Sequence, residues 1–175
     1  MPWRHTLVLL AVAALPACAQ ADGAAVDMPN FASLQNKATQ TVNVQLGGLA
    51  LRFASHFLDS DDPDQKQARE ILSQLNSVQV RSFEFDSDGA YSQADVEAVR
   101  KQLTGPKWTP IVQVREGHDG DNVDVFMCIE NEKPVGFAII SSEPRELTIV
   151  NVSGPIDLER LKEIGGHLGI PKTGT

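Results

Sequence analysis

Apolar and polar positions alternate most clearly between residues 110 and 153, where four short apolar runs are separated by turn-forming residues. Runs that are rich in Val and Ile and bounded by Gly, Pro, Asn and Asp are typical of strands joined by hairpins. The pattern therefore predicts a four-stranded antiparallel meander. Its predicted strands are Pro110–Arg115, Val123–Glu130, Val135–Ser142 and Glu146–Ser153.

Two further strands are predicted before the meander, over residues 42–46 and 78–85, where apolar and polar residues alternate. In the second of these, the apolar side of the strand changes between Val80 and Phe83. A strand can change side only at an extra residue or where both of its faces are buried. The sequence therefore predicts either a bulge near Arg81 or a central strand.

Helical periodicity separates and follows these strands. The predicted helices are Phe31–Gln40, Leu49–Leu58, Pro63–Leu75, a helix between Ser92 and Gly105, and Asp157–Ile164. The second is apolar nearly all round, which is typical of a core helix or of an interface helix, and burial in the core is the expectation. In the last, Leu158, Leu161 and Ile164 are expected to face inward.

This order of elements predicts an α+β fold. We expect a mixed, mainly antiparallel sheet that ends in the four-stranded meander, with the helices packed on one face. At 175 residues the chain has room for one domain with a core of its own. The predicted organisation is a signal segment over residues 1–19, a flexible leader over 20–30, a single α+β domain over 31–168 and a frayed tail over 169–175.

The N-terminus has the form of a secretory signal, with Arg4 at its start, the apolar run Leu7–Leu15 and a small-residue exit. Residues 15–18 (Leu-Pro-Ala-Cys) resemble a bacterial lipobox, which predicts lipidation of Cys18, although Pro16 departs from that pattern. The alternative is ordinary cleavage after Ala19. We expect an exported protein of the bacterial cell envelope, periplasmic or lipid-anchored at the outer membrane.

The formal net charge of −8 limits the classes of partner. A negative chain without clusters of Lys or Arg repels phosphate backbones, which argues against nucleic acid as a partner. The same charge argues against adhesion to anionic lipid. Contact with the membrane is therefore expected only through the lipid anchor.

Two segments could carry chemistry. Cys128 lies in the middle of a predicted strand, where a lone Cys is usually a small buried residue, but it could also serve as the nucleophile of a hydrolase or thiol enzyme. The run from Glu84 to Gly89, with Asp95 at the twelfth position, has the spacing of a calcium loop. A strand end, a turn and a helix cap account for the same carboxylates. The expectation is no catalytic residue, no metal site and no cofactor.

Several short motifs are similar, in order, to those of a bacterial envelope family catalogued as domain of unknown function 4252. These motifs are Val80–Asp86, Asp88–Ser92, Trp108, Ile111–Arg115, Asn122–Val125, Glu143–Thr148 and Ile156–Glu159. The resemblance extends from about Phe31 to Leu168. It implies an exported bacterial domain of this architecture, and it supplies no catalytic residues.

The sequence thus favours a non-enzymatic binding or structural domain whose partner is an envelope protein or a small ligand. The thiol enzyme and the calcium-stabilised module remain alternatives.

Overall fold

Six strands form one sheet in the computed structural model, which describes residues 23–58, 61–116 and 120–156. The helices are α1 (Ala32–Gln35), α2 (Gly48–Ser55), α3 (Pro63–Gln74), α4 (Gln93–Arg100) and a 3₁₀ turn (Lys101–Thr104). The strands are β1 (Gln40–Gly47), β2 (Ser77–Glu84), β3 (Trp108–Arg115), β4 (Asn122–Glu130), β5 (Lys133–Glu143) and β6 (Glu146–Ser153). Their order across the sheet is β1-β2-β6-β5-β4-β3.

The α+β class and the C-terminal meander are confirmed. Strands β3 to β6 pair with their neighbours in chain order, and β2 joins β1 to β6. Each of these pairings is antiparallel, so the described part of the sheet is antiparallel rather than mixed. The β4–β5 hairpin turns at Asn131 and Glu132, both of which have positive φ angles (50° and 63°), as a two-residue turn matched to the strand twist requires.

The change of apolar side along β2 allowed either a bulge or a central strand. Strand β2 is a central strand, between β1 and β6, and it has no bulge. Its register with β1 and β6 is continuous from Ser77 to Glu84. Val78 packs in one apolar cluster and Phe83 in another. The two clusters lie on opposite faces of the sheet, because residues at an odd separation along a strand point to opposite sides.

The larger cluster lies on one face of the sheet, which we call the closed face. Its sheet residues are Phe83, Phe126, Ala138, Ile140, Leu147 and Ile149. They pack against α1, α4 and the 3₁₀ turn, and Phe31 meets Phe83 edge-to-face with ring centroids 5.4 Å apart. A capping box starts α4, within the helix predicted between Ser92 and Gly105: the Ser92 backbone N–H donates to the Asp95 side chain at 2.9 Å.

The smaller cluster lies on the opposite face, which we call the open face. Here Leu51 of α2, Ile71 and Leu72 of α3, and Leu75 just after α3 pack against one end of the sheet. The expectation that all helices pack on one face is therefore wrong. Helix α1 is also shorter than predicted, since Thr39 already donates its N–H to Glu84 and the chain enters β1.

The predicted flexible leader is, from residue 23 onward, a packed part of the domain. Ala24 and Val26 are buried, and the fully buried amide of Asn151 on β6 holds both of them. Asn151 donates to the carbonyl oxygens of Ala24 (3.0 Å) and Phe137 (3.2 Å) and accepts the N–H of Val26 (3.0 Å). A buried backbone needs such partners, and we call this contact the Asn151 latch.

The expected signal segment, Cys18, the helix Asp157–Ile164 and the frayed tail lie outside the described residues.

We predict that Asn151→Ala lowers the free energy of unfolding by about 3 kcal/mol, because it removes the three hydrogen bonds that a fully buried amide makes. Urea unfolding measures this loss, and hydrogen exchange of the Val26 amide should accelerate in the same variant. Asn43→Ala, on an exposed part of β1, is the matched control and should stay within about 0.5 kcal/mol of wild type. Equal stability of the two variants would contradict the role of the latch.

Candidate interaction surface

The most exposed large apolar side chains lie on and just after α2. Leu49, Phe53 and Phe57 are 78%, 66% and 75% exposed. The rings of Phe53 and Phe57 meet edge-to-face with centroids 5.1 Å apart. We call these three residues the aromatic ridge. Adjacent exposed aromatic rings are the kind of side chain that supplies most of the binding energy at protein interfaces.

The ridge exists because α2 buries only one side. Leu51 and Ser55 face the sheet and α3, and both are buried. Residues four apart share one side of a helix, so the ridge residues lie on the side opposite to Leu51. The expectation that this helix is buried in the core is wrong for the ridge residues.

A groove of about 360 Å³ borders the ridge between α2 and α3. Its lining includes Arg52 and His56 from the α2 side and Lys66 and Arg69 from α3, together with Glu70. Arg69 and His56 approach to 3.5 Å. This basic groove stands out in a chain whose formal net charge is −8, and it places positive charge beside the most apolar part of the surface.

A second apolar area is the part of the open face that α2 and α3 leave uncovered. Its β3–β4 portion, which we call the bare strip, consists of Val112, Val114, Val123, Val125 and Met127. Val112 and Val114 are 44% and 41% exposed. The register pairs Val112 with Val125 and Val114 with Val123, so these side chains share one face.

Cys128 is fully buried on the closed face of β4. Its thiol donates to the carbonyl oxygen of Gly23 at 3.7 Å. A substrate therefore does not reach this thiol from solvent, which disfavours the thiol enzyme.

The carboxylates of the calcium-like run serve other contacts. Asp88 forms an ion pair with Arg145 (2.6 Å), and Asp95 caps α4. Among the residues that the structure describes, no group of three or more His, Cys, Asp and Glu side chains could hold a metal ion. The turn-and-cap interpretation of these carboxylates therefore describes their contacts.

The sequence did not predict an ion network that joins α4 and β3 to Asp124 of β4. The Asp124 side chain is 1% exposed and accepts from Arg100 (2.6 Å) and Arg115 (2.5 Å). Burial alone would lower the pKa of Arg100, but Asp124 and Glu97 more than reverse this, and the pKa is raised. With guanidinium groups on both oxygens, Asp124 is a structural anion rather than a general base. Asp124 lies two residues before Phe126 and therefore on the same, buried side of β4. This spacing was the signal of burial that the sequence offered.

A polar cavity of about 230 Å³ lies at the opposite end of the sheet from the latch, and its lining includes Asp88, Tyr91, Asn122 and Glu143. The Tyr91 hydroxyl donates to the backbone carbonyl of Glu143 at 2.5 Å. Burial, and then the negative charge of Glu143, raises the pKa of Tyr91 to about 12. Burial also raises the pKa of Glu143, with added repulsion from Asp121 and Glu146. The cavity is therefore polar, and the carboxylates of Asp88 and Glu143 form part of its lining.

A family model described as Domain of unknown function (DUF4252) matches residues 35–164, which is most of the chain. The chain belongs to this family. The match spans all six strands and helices α2 to α4, so both the ridge and the bare strip belong to the family domain. The chain has no match among curated proteins. Within the described residues, no helix is long and apolar enough to cross a membrane.

We predict that Tyr91, the only tyrosine of the chain, ionises with a midpoint near pH 12 when folded and near 10.0 when unfolded in urea. Ultraviolet absorbance of the phenolate measures both midpoints. Between these pH values the unfolded chain has lost a proton that the folded chain keeps, so stability falls as pH rises through this range. Tyr91→Phe should lack this part of the fall, and a folded midpoint near 10 would disprove the buried environment.

Proposed function

We propose that the protein is an exported domain of the bacterial cell envelope, anchored through a lipid on Cys18, that binds another envelope protein through the aromatic ridge and the basic groove. It acts by binding rather than by catalysis. The observation that carries the proposal is the exposure of Leu49, Phe53 and Phe57 beside four basic side chains. The form of the N-terminal segment supports export.

The chemistry of this surface specifies the partner. Two phenyl rings in edge-to-face contact require an apolar pocket on the other protein, where their burial contributes about 2 kcal/mol or more each. Arg52, which precedes Phe53, and Lys66 on the α3 side of the groove are both exposed. They favour carboxylates at the rim of that pocket. The proposed partner is therefore an envelope protein with an acid-rimmed apolar pocket.

The reactive alternatives find less support. The thiol of Cys128 is enclosed, and both oxygens of Asp124 are held by guanidinium groups. The carboxylates Asp88 and Asp95 are engaged in an ion pair and a helix cap. The Cys128 thiol and the Asp124 carboxylate are therefore not placed to attack or protonate a ligand from solvent.

We predict that radioactive palmitate labels the chain when it is produced in a bacterium with lipoprotein processing, and that Cys18→Ala abolishes the label. Cys128→Ala is the matched control and should keep the label, because Cys128 is buried inside the fold. Mass spectrometry of the mature N-terminus identifies the processed residue. An unmodified chain that begins at Gln20 would rule out the anchor and leave the binding surface untested by this result.

We predict that a photo-crosslinking amino acid at position 49 forms a specific adduct with one envelope protein, and that Phe53→Ser with Phe57→Ser reduces the adduct at least about tenfold. Arg52→Glu should also reduce it, because it reverses the charge at the rim. The matched control is Ile111→Ser, which removes another exposed apolar side chain away from the ridge. Adduct yields that are equal in the ridge variant and the control would disprove this surface assignment, whatever the state of Cys18.

A further inference from the structure

We propose that the outer edge of β1 pairs with the same edge of a second copy of this chain, so that two six-stranded sheets form one. The pairing is antiparallel and places Asn43 of one copy opposite Asn43 of the other. This inference goes beyond the proposed function, since it uses neither the aromatic ridge nor Cys18. It rests on which backbone groups of β1 point outward and on the residue pattern along the strand.

The outer edge of β1 lacks the features that usually prevent strands from pairing. Within the described residues, no strand pairs with this side of β1. Its eight residues include neither a charged residue nor a proline, and its register with β2 has no shift. The opposite edge strand, β3, contains Pro110, ends in Arg115 and has a register shift after Pro110. Charge, proline and bulges hinder edge-to-edge pairing, so β1 is the edge that remains able to pair.

An arginine on β2 shows which backbone groups of β1 point outward. Nη1 of Arg81 donates to the carbonyl oxygens of both Val44 and Val80, each at 3.1 Å. One nitrogen reaches both only when the two carbonyls lie in the gap between the strands, so Val44 and Val80 form a hydrogen-bonded pair. Such pairs alternate with non-hydrogen-bonded pairs along an antiparallel ladder. The alternate residues of β1 therefore direct their N–H and C=O groups outward: Thr41, Asn43 and Gln45.

These three residues set the register between the two copies. With Asn43 opposite Asn43 and Thr41 opposite Gln45, each outward group has a partner, and the interface gains about six backbone hydrogen bonds. Gly47 occupies the next alternate position, but it is the N-cap of α2 and its carbonyl accepts the first hydrogen bond of that helix. The pairing is therefore centred on Asn43.

The side chains of β1 are self-complementary in the same register. From Asn43, each direction along the strand gives a valine and then a polar residue: Val42 and Thr41, or Val44 and Gln45. Valine therefore lies opposite valine, and a polar residue lies opposite a polar residue. Val42, which is 38% exposed, gains Val44 of the second copy as its cross-strand neighbour on the open face. Because the strand complements itself, a second copy is the occupant that this edge fits.

Charge also favours this edge as the place where two copies meet. Each chain has a formal net charge of −8, so two copies repel each other. β1 is uncharged over its whole length. Arg81 is the residue of β2 opposite Asn43. In the joined sheet the two copies of Arg81 lie three strand spacings apart, about 14 Å, which exceeds the screening length of about 8 Å in physiological salt.

Oxidative crosslinking tests the register in the full mature chain carrying Cys18→Ser. Asn43→Cys should form a disulfide-linked dimer under mild oxidation, because its two Cα atoms lie about 5.5 Å apart in the joined sheet. Gln45→Cys is the matched control, on the same side of the same strand. It lies opposite Thr41, so its two copies are four residue steps, or about 13 Å, apart. We expect at least about a tenfold lower yield of dimer with Gln45→Cys.

Sedimentation equilibrium tests the association itself. The mature chain with Cys18→Ser alone should approach twice its monomer mass as its concentration rises to about 100 µM. Asn43→Lys should remain a monomer, because it places two like charges opposite each other at the centre of the interface. Gln113→Lys is the same substitution at an exposed position of β3 and should associate like its parent. Far-UV circular dichroism and the urea midpoint verify that both variants are folded.

Equal yields of crosslinked dimer at positions 43 and 45 would overturn the proposal, and so would a parent chain that stays monomeric over this range of concentration. A monomer that pairs at β1 with a strand of another envelope protein would also overturn it, because that protein would then occupy the edge. These measurements are independent of the ridge, which is tested by crosslinking at position 49.

Discussion

A sheet with apolar side chains on both faces must be covered on both, because each uncovered patch leaves apolar area in water at about 25 cal/mol per Å². This constraint organises the molecule. The closed face is covered by α1, α4 and the N-terminal segment, and it contains the fully buried Phe83, Ile140 and Ile149. The open face receives α2 and α3 at one end only. The surfaces available for recognition therefore lie on the open side of the sheet.

Polar groups in the closed layer position its parts. Asn151 joins the N-terminal segment to two central strands, and Asp124 joins α4 to β3 through Arg100 and Arg115. A buried amide or carboxylate is stable only when its hydrogen-bond partners are in place. An arrangement that leaves it without them costs several kcal/mol of folding free energy. Apolar packing provides most of the stability of this layer, while these two residues specify where the chain segments meet.

The sequence predicted the features that depend on local residues. The hairpins of β3 to β6 follow from turn residues between apolar runs, and the start of α4 follows from Ser92 and Asp95. It did not predict which face each helix covers, because that depends on contacts between distant segments. It also missed the Asn151 latch, since a small polar leader shows no sign of burial until the side-chain amide that pairs with its backbone is known. The exposure of Phe53 and Phe57 could not be read from composition, because a two-turn helix buries only one side.

The latch also sets how an anchor at Cys18 would hold the domain. The first residue that the structure describes, Gly23, follows Cys18 by five residue steps, which span at most about 18 Å when extended. Gly23 lies near Glu130 and Lys107, at the end of the sheet where Gly47 leads into α2 and pairs across to Ser77 and Ser153. Under the proposed lipid anchor, the tether and the start of the ridge helix would therefore lie at the same end of the sheet. A domain tethered in this way would stay close to the bilayer, and the proposed partner would present its apolar pocket near the membrane surface.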